Sequence, residues 1–112
     1  MRITQREKSG VVVLDLQGKL ELGEGDVKLR DKLLELLGAG KRKLLFNFAE
    51  CKNVDSSGLG ELIRCKMTAA RESAQIKLVH LNLKIYKLLT MSQLVGVFEM
   101  FDDEEKAVAS FE

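Results

Sequence analysis

One segment of the chain has residue types and spacing suited to chemistry: Asp55-Ser56-Ser57-Gly58-Leu59-Gly60, which follows an apolar run and begins a helical pattern. The N-terminus of a helix presents unpaired N–H groups and a partial positive charge, which together favour an anion. A serine hydroxyl at this point, with a carboxylate beside it, lies where a phosphate group can be held. The two glycines leave the first turn without side chains, so another molecule can approach the backbone closely.

The same segment has a purely structural interpretation. Asp and Ser are among the commonest residues at a helix N-cap, where the side-chain oxygen accepts a hydrogen bond from an N–H group of the first turn. On these residues alone, capping is the more common use. The position still favours a functional role, because ligands of open α/β sheets bind beyond the carboxyl ends of the strands.

Strand and helix patterns alternate along the chain around this segment. A polar strand near residues 3–6 and the β-branched run at 11–16 are separated by a Ser9-Gly10 turn, which predicts an antiparallel hairpin. Residues 19–26 are predicted to form a loop. Further strands are predicted at 44–48, 76–81 and 97–101, and helices at 26–37, from 57, from 81 to residues 90–93, and after 102. This alternation predicts an α/β fold, with a mixed, mostly parallel β-sheet, an N-terminal antiparallel hairpin and four helices.

Helical spacing also predicts which side chains face the core. The second helix is expected to bury one face, formed by Leu59, Leu62, Ile63, Met67 and Ala70. Asp102 stands three residues before Glu105, which is the spacing of a capping box, so the last helix is expected to begin there. Its inward-facing residues are expected to be Ala107, Val108 and Phe111.

Length, charge and composition exclude several classes of protein. With 112 residues, 46% of them hydrophobic, the chain can form one domain with a core of its own. The 18 Lys+Arg nearly balance the 17 Asp+Glu, which argues against nucleic acid as the main partner. No apolar stretch approaches the roughly 20 residues of a membrane helix, and residues 1–8 lack the apolar middle of a secretion signal. We therefore expect a cytoplasmic protein without membrane insertion.

The residues indicate neither a metal site nor an enzyme. Cys51 and Cys65 lack the spacing and the histidine neighbours of a metal site, so they predict reduced, partly buried thiols. His80 lies in an apolar strand pattern and is interpreted as a core or edge residue rather than a general base. A nucleophile elbow needs Gly two residues before its Ser, which neither Ser56 nor Ser57 has. The chain has no Walker sequence and no complete dinucleotide fingerprint, so no cofactor is expected.

The chain resembles the STAS family, the sulfate-transporter and anti-sigma-factor-antagonist domains, over nearly all of its length. The most specific part of the resemblance is the Asp-Ser-Ser-Gly-Leu-Gly element between a buried strand and a helix. The resemblance is carried by residues 14–20, 44–48, 54–60, 76–79, 88–94 and 98–107. It implies that residues 1–112 form a single STAS domain.

The resemblance implies a non-enzymatic switch that regulates transcription. In the antagonists that this chain is similar to, an anti-sigma factor with serine kinase activity phosphorylates the serine after the Asp, here Ser56, and a serine phosphatase removes the phosphate. The unmodified protein binds the anti-sigma factor, and the modified protein releases it. The implied partner-binding residues are Glu21, Asp55, Ser56, Ser57, Gly58, Leu59 and Gly60. Glu21 ends Gly18-Lys19-Leu20-Glu21, which stands where many phosphorylated antagonists have Gly-Glu-Leu-Asp.

Several alternatives remain open at the level of sequence. Asp55 either orients the Ser56 hydroxyl and helps recognition by the kinase, or only caps the helix, and Ser57 is expected to cap or to hold the loop. STAS domains also serve as docking subunits of stress-signalling or lipid-transport complexes without phosphorylation, through the same surface. The expected oligomeric state is a monomer, or a weak dimer through the edge strand at residues 3–8.

Overall fold

The structure is a computed structural model that describes residues 1–94 and 96–111. In chain order, the elements are β1 (Arg2–Lys8), β2 (Val11–Leu20), α1 (Gly25–Gly38), β3 (Lys43–Val54), α2 (Ser56–Arg71), β4 (Gln75–Val79), α3 (Leu83–Met91), β5 (Met100–Phe101) and α4 (Glu104–Ala109). The strands form one sheet in the order β1-β2-β3-β4-β5. β1 pairs antiparallel with β2, and the other neighbours are parallel. The predicted α/β fold with its mixed, mostly parallel sheet and N-terminal hairpin is confirmed.

Helices cover the two faces of the sheet unequally. Because side chains alternate along a strand, one face of β2 and β3 presents Leu14 and Phe46 to the main core, to which α1, α2 and α3 also contribute. The opposite face presents Val13 and Leu45 to a smaller core that includes Ala107 of α4. α4 has six residues, so it covers only part of this second face.

Polar side chains tie α4 to the hairpin on the second face. The Arg6 guanidinium donates to both oxygens of Asp15, Nε at 2.7 Å and Nη2 at 2.8 Å. It also donates to both oxygens of Glu104, at 2.9 and 3.1 Å. Asn47 Nδ2 donates to Asp15 at 2.8 Å. This network links β1, β2, β3 and α4 at a point where the face is no longer apolar.

Two predictions about α2 and α4 are wrong in detail. In α2, Met67 is 52% exposed and Ala70 is also exposed, whereas Glu61 is buried on the inner face. The predicted buried face omitted Glu61 and therefore lay too far toward Met67. α4 is capped by Asp103, whose Oδ1 accepts from the Lys106 N–H at 3.1 Å, and not by Asp102. The capping-box spacing to Glu105 favoured Asp102, but the structure uses the adjacent aspartate, whose N3 residue is Lys106.

Strand lengths also differ from the predictions. β2 and β3 continue to Leu20 and Val54 through two register shifts, so residues 19 and 20 belong to a strand rather than to a loop. β4 ends at Val79, because His80 has a positive φ of 62° that interrupts extended backbone.

Cys51 and Cys65 are free, as expected, but both are buried rather than partly buried. Among the described residues, no helix is both long and apolar enough to cross a bilayer.

Candidate functional site

Ser56 lies at the carboxyl end of the central strand β3, as the first residue of α2. Its side chain is exposed. The position combines accessibility to a visiting protein with the N–H groups of a helix N-terminus, which favour an anion. This hydroxyl therefore lies outside the core, at the N-terminus of a helix.

Asp55 caps α2 and also holds the loop that follows β2. Its Oδ1 accepts from the Gly58 N–H at 2.8 Å, and its Oδ2 accepts from the Leu22 N–H at 3.1 Å. The Gly58 N–H and then the Leu22 N–H hold the pKa of Asp55 below its ordinary value, because both bonds stabilise the carboxylate. The structure thus supports capping directly. A role for Asp55 in recognition by a kinase stays a prediction.

The loop after β2 lies against the residues that precede Ser56. Asn53 Nδ2 donates to Glu21 Oε2 at 2.7 Å, and the Asp55 N–H donates to the Leu20 carbonyl at 3.3 Å. Leu22, in the same loop, is 73% exposed. The structure therefore brings Glu21 together with the segment Asp55–Gly60, although the two are far apart in the chain.

The two glycines of the segment have different surroundings. Gly58 is buried, and a Cβ at that position would lie 2.0 Å from the Leu20 carbonyl oxygen. The absence of a side chain at Gly58 therefore allows α2 to pack closely against the end of β2. It does not leave room for another molecule. At Gly60 a Cβ would have the Arg64 guanidinium as its nearest neighbour, at 3.7 Å, which is ordinary contact.

The remaining residues of the segment divide between core and surface. Leu59 is buried in the main core. Ser57 and Gly60 are half-buried beside the exposed Ser56. The surface available to a partner is therefore formed by Ser56, parts of Ser57 and Gly60, and the loop around Leu22.

Sequence reasoning missed a charged cluster between α1 and α2. Glu61 is 1% exposed, and its Oε1 accepts from Arg30 Nη2 at 2.7 Å and Nε at 3.0 Å. Arg64 Nη2 lies 3.4 Å from the same oxygen, and the Cys65 thiol is 3.6 Å from Oε2. Burial, and then the Glu61 carboxylate, raise the pKa of Cys65, so this thiol is unreactive. The spacing of Glu61 and Arg64 was the available signal, but Arg30 comes from another helix.

Among the described residues, no group of three or more His, Cys, Asp and Glu side chains could hold a metal ion. A cleft of about 770 Å³ lies between α3 and the ends of β4 and β5, and its lining includes His80, Tyr86 and Phe101. This cleft shares no residue with the segment Asp55–Gly60.

Comparisons with known proteins show what this chain is similar to. A family model described as "Mlab, STAS domain" matches residues 3–100. Comparison with curated proteins gives no significant match. The fold is shared with solved structures, of which the three described next are 14–21% identical to this chain.

Three proteins illustrate this structural similarity. A candidate anti-sigma factor antagonist from Thermotoga maritima has 18% identity and a TM-score of 0.88, covering 96% of this chain and 92% of that one. An anti-sigma factor antagonist from Mycobacterium paratuberculosis has 14% identity and a TM-score of 0.84, covering 97% and 92%. The Bacillus cell fate determinant SpoIIAA, in its phosphorylated form, has 21% identity and a TM-score of 0.76, covering 99% and 100%.

Proposed function

Because this chain belongs to the STAS domain family, we propose that it is an anti-sigma factor antagonist that is switched by phosphorylation of Ser56. The unmodified chain binds an anti-sigma factor that is also a serine kinase. Phosphorylation of Ser56 releases this partner, and a serine phosphatase restores binding. The observation that carries the proposal is the exposed Ser56 hydroxyl at the Asp55-capped N-terminus of α2.

The isolated domain can accommodate the phosphate. A phosphoserine carries about −1.5 to −2 charges at neutral pH. A helix N-terminus stabilises an anion by about 0.3–1 kcal/mol, and the first turn of α2 contains no acidic residue that would oppose it. Asp55 is the nearest carboxylate in sequence, and its charge is already shared by two backbone N–H groups. Phosphorylation should therefore leave the fold intact.

The same phosphate opposes docking of a partner. A charge that loses its water without gaining a partner costs several kcal/mol, and about 1.4 kcal/mol corresponds to a tenfold change in affinity. A partner that covers Ser56 and the loop around Leu22 would bury this charge. The switch thus needs no refolding, only a change of charge within an interface.

Phosphorylation in vitro tests the proposal directly. The purified chain is incubated with the anti-sigma factor kinase of its own organism and ATP, and the phosphate is mapped by mass spectrometry. We expect one phosphate, at Ser56, in both the wild type and Ser57→Ala, and none in Ser56→Ala. Phosphate at Ser57, or Ser56→Ala that is modified like the wild type, would refute the assignment of Ser56.

A second candidate function keeps the docking surface and omits the phosphorylation. The chain would then be a docking subunit of a stress-signalling or lipid-transport complex. This candidate is kept because the description of the matched family model names Mlab and does not name an antagonist. Stable binding to a partner that leaves Ser56 unmodified in the presence of ATP would support it. Both candidates are non-enzymatic, and the first places the chain in the cytoplasm, where sigma factors act.

A further inference from the structure

The charges of the chain are unevenly distributed around α3. None of the 17 acidic residues lies between Glu72 and Glu99. Lys77, in this interval, is buried and donates to the Ser110 carbonyl and hydroxyl, both at 2.8 Å. Lys84 and Lys87 are exposed on α3. Within residues 1–94 and 96–111, neither of these two lysines forms an ion pair, so α3 presents uncompensated positive charge.

The same two lysines line an apolar cleft beside the proposed docking surface. The cleft has a volume of about 270 Å³ and lies between the end of β3 and α3. Met91, at its lining, is 83% exposed. The complete lining is Asn53, Val54, Lys84, Ile85, Lys87, Leu88 and Met91. Asn53, in this lining, donates to Glu21 at 2.7 Å, so the cleft borders the loop of the proposed docking surface.

We propose that this cleft receives one apolar side chain from an acidic segment of the protein partner, and that Lys84 and Lys87 pair with carboxylates of that segment. The cleft volume is at the lower end of those of small-ligand sites, about 300–1,000 Å³, and is large enough for an apolar side chain. Interfaces commonly use such an apolar anchor in a pocket, and complementary charges around it steer the partner. The inference rests on the proposed function and specifies the chemistry of the partner.

An acidic partner also strengthens the effect of phosphorylation. Phosphate on Ser56 adds negative charge two residues from Val54, at the border of a surface that attracts carboxylates. The phosphate repels these carboxylates and reduces the positive potential that draws them in. A second copy of this chain is a poor occupant, because a symmetric contact between two α3 helices would place like charges together.

Charge reversal on α3 tests the inference. The variant Lys84→Glu/Lys87→Glu is compared with Lys43→Glu/Lys106→Glu, which changes the net charge equally at exposed lysines on β3 and α4. Binding to the anti-sigma factor kinase is measured by calorimetry at low and at high salt. We expect the α3 variant to bind at least about tenfold more weakly at low salt, and the control to bind like the wild type. Equal affinities for both variants would overturn the inference. That result would leave the Ser56 switch unaffected.

A peptide titration tests the cleft independently of the Ser56 switch. Backbone NMR shifts of the full chain are followed with the acetylated peptide Glu-Glu-Phe-Glu-Glu, and with versions in which Ala replaces Phe or Gln replaces Glu. We expect shifts at Val54, Ile85, Leu88 and Met91 with the first peptide only, lost in Lys84→Glu/Lys87→Glu. Equal responses to all three peptides would refute the inference. A response to phosphatidylglycerol vesicles but not to the peptide would also refute it, and would indicate a membrane surface instead.

Discussion

Replacement of Gly58 by alanine should destabilise the fold, although alanine is the better helix former. The added Cβ would lie 2.0 Å from the Leu20 carbonyl oxygen and 2.9 Å from its carbonyl carbon. These are backbone atoms of β2, paired with β3 at Val54, so they cannot rotate away as a flexible side chain does. Either the end of β2 or the first turn of α2 must move.

The size of the effect follows from two opposing contributions. Gly→Ala within a helix gains up to about 1 kcal/mol from helix propensity, and overpacking against a rigid neighbour costs about 1–3 kcal/mol or more. At Gly58 the separation of 2.0 Å places the cost at the upper end of this range. We therefore expect Gly58→Ala to lower the free energy of unfolding by about 2 kcal/mol or more.

Gly60→Ala is the matched control, since it lies in the same turn with an ordinary 3.7 Å contact to Arg64. This variant should be stabilised by about 0.4–1 kcal/mol. Both variants are measured by urea unfolding, with the slope of the transition checked for two-state behaviour. If the free energies of unfolding of Gly58→Ala and Gly60→Ala are equal, α2 does not pack against Leu20 as described.

Three further predictions concern the switch, the buried cluster and the pH dependence of stability. Ser56→Ala should retain partner binding, and Ser56→Asp should bind about tenfold or more weakly by calorimetry, because it places charge in the interface; equal affinities would contradict the charge mechanism. Arg30→Ala should lower the free energy of unfolding by about 1–3 kcal/mol, since it leaves the buried Glu61 with the longer Arg64 contact and the Cys65 thiol; unchanged urea unfolding would count against the pair. The Arg6 guanidinium lowers the pKa of Asp15 below its ordinary value, so the stability from this pair is present above the unfolded pKa of about 4 and is lost as pH falls through the lower folded pKa. Stability measured from pH 5 to pH 2 should therefore fall less steeply in Asp15→Asn than in the wild type, and identical slopes would refute the assignment.

Local periodicity was enough to predict the order of the elements. The β-branched run at Val11–Leu16 and the apolar run at Leu44–Phe48 each bury residues within a strand, and the leucines of α1 recur at helical spacing. Such signals depend on neighbours within one or two turns of chain. The α/β fold and the hairpin were therefore accessible from the sequence.

Errors arose where a distant residue decides the environment. Glu61 is buried because Arg30, on another helix, compensates its charge, and its burial moves the inner face of α2 away from Met67. His80 interrupts β4 through its positive φ of 62°, although its neighbours form a continuous apolar pattern. For Glu61 the local sequence offers only its spacing to Arg64, and for His80 it offers no signal.

The candidate site divides in the same way between sequence and structure. The sequence by itself determined that Asp55 and two serines stand where a helix begins, because these residue types are common at an N-cap, but it left open which of them is the cap. Only the tertiary structure decided that Gly58 packs against Leu20 and that the loop at Glu21 and Leu22 borders Ser56. These contacts depend on the register of β2 against β3, which the sheet as a whole sets and which no short segment encodes.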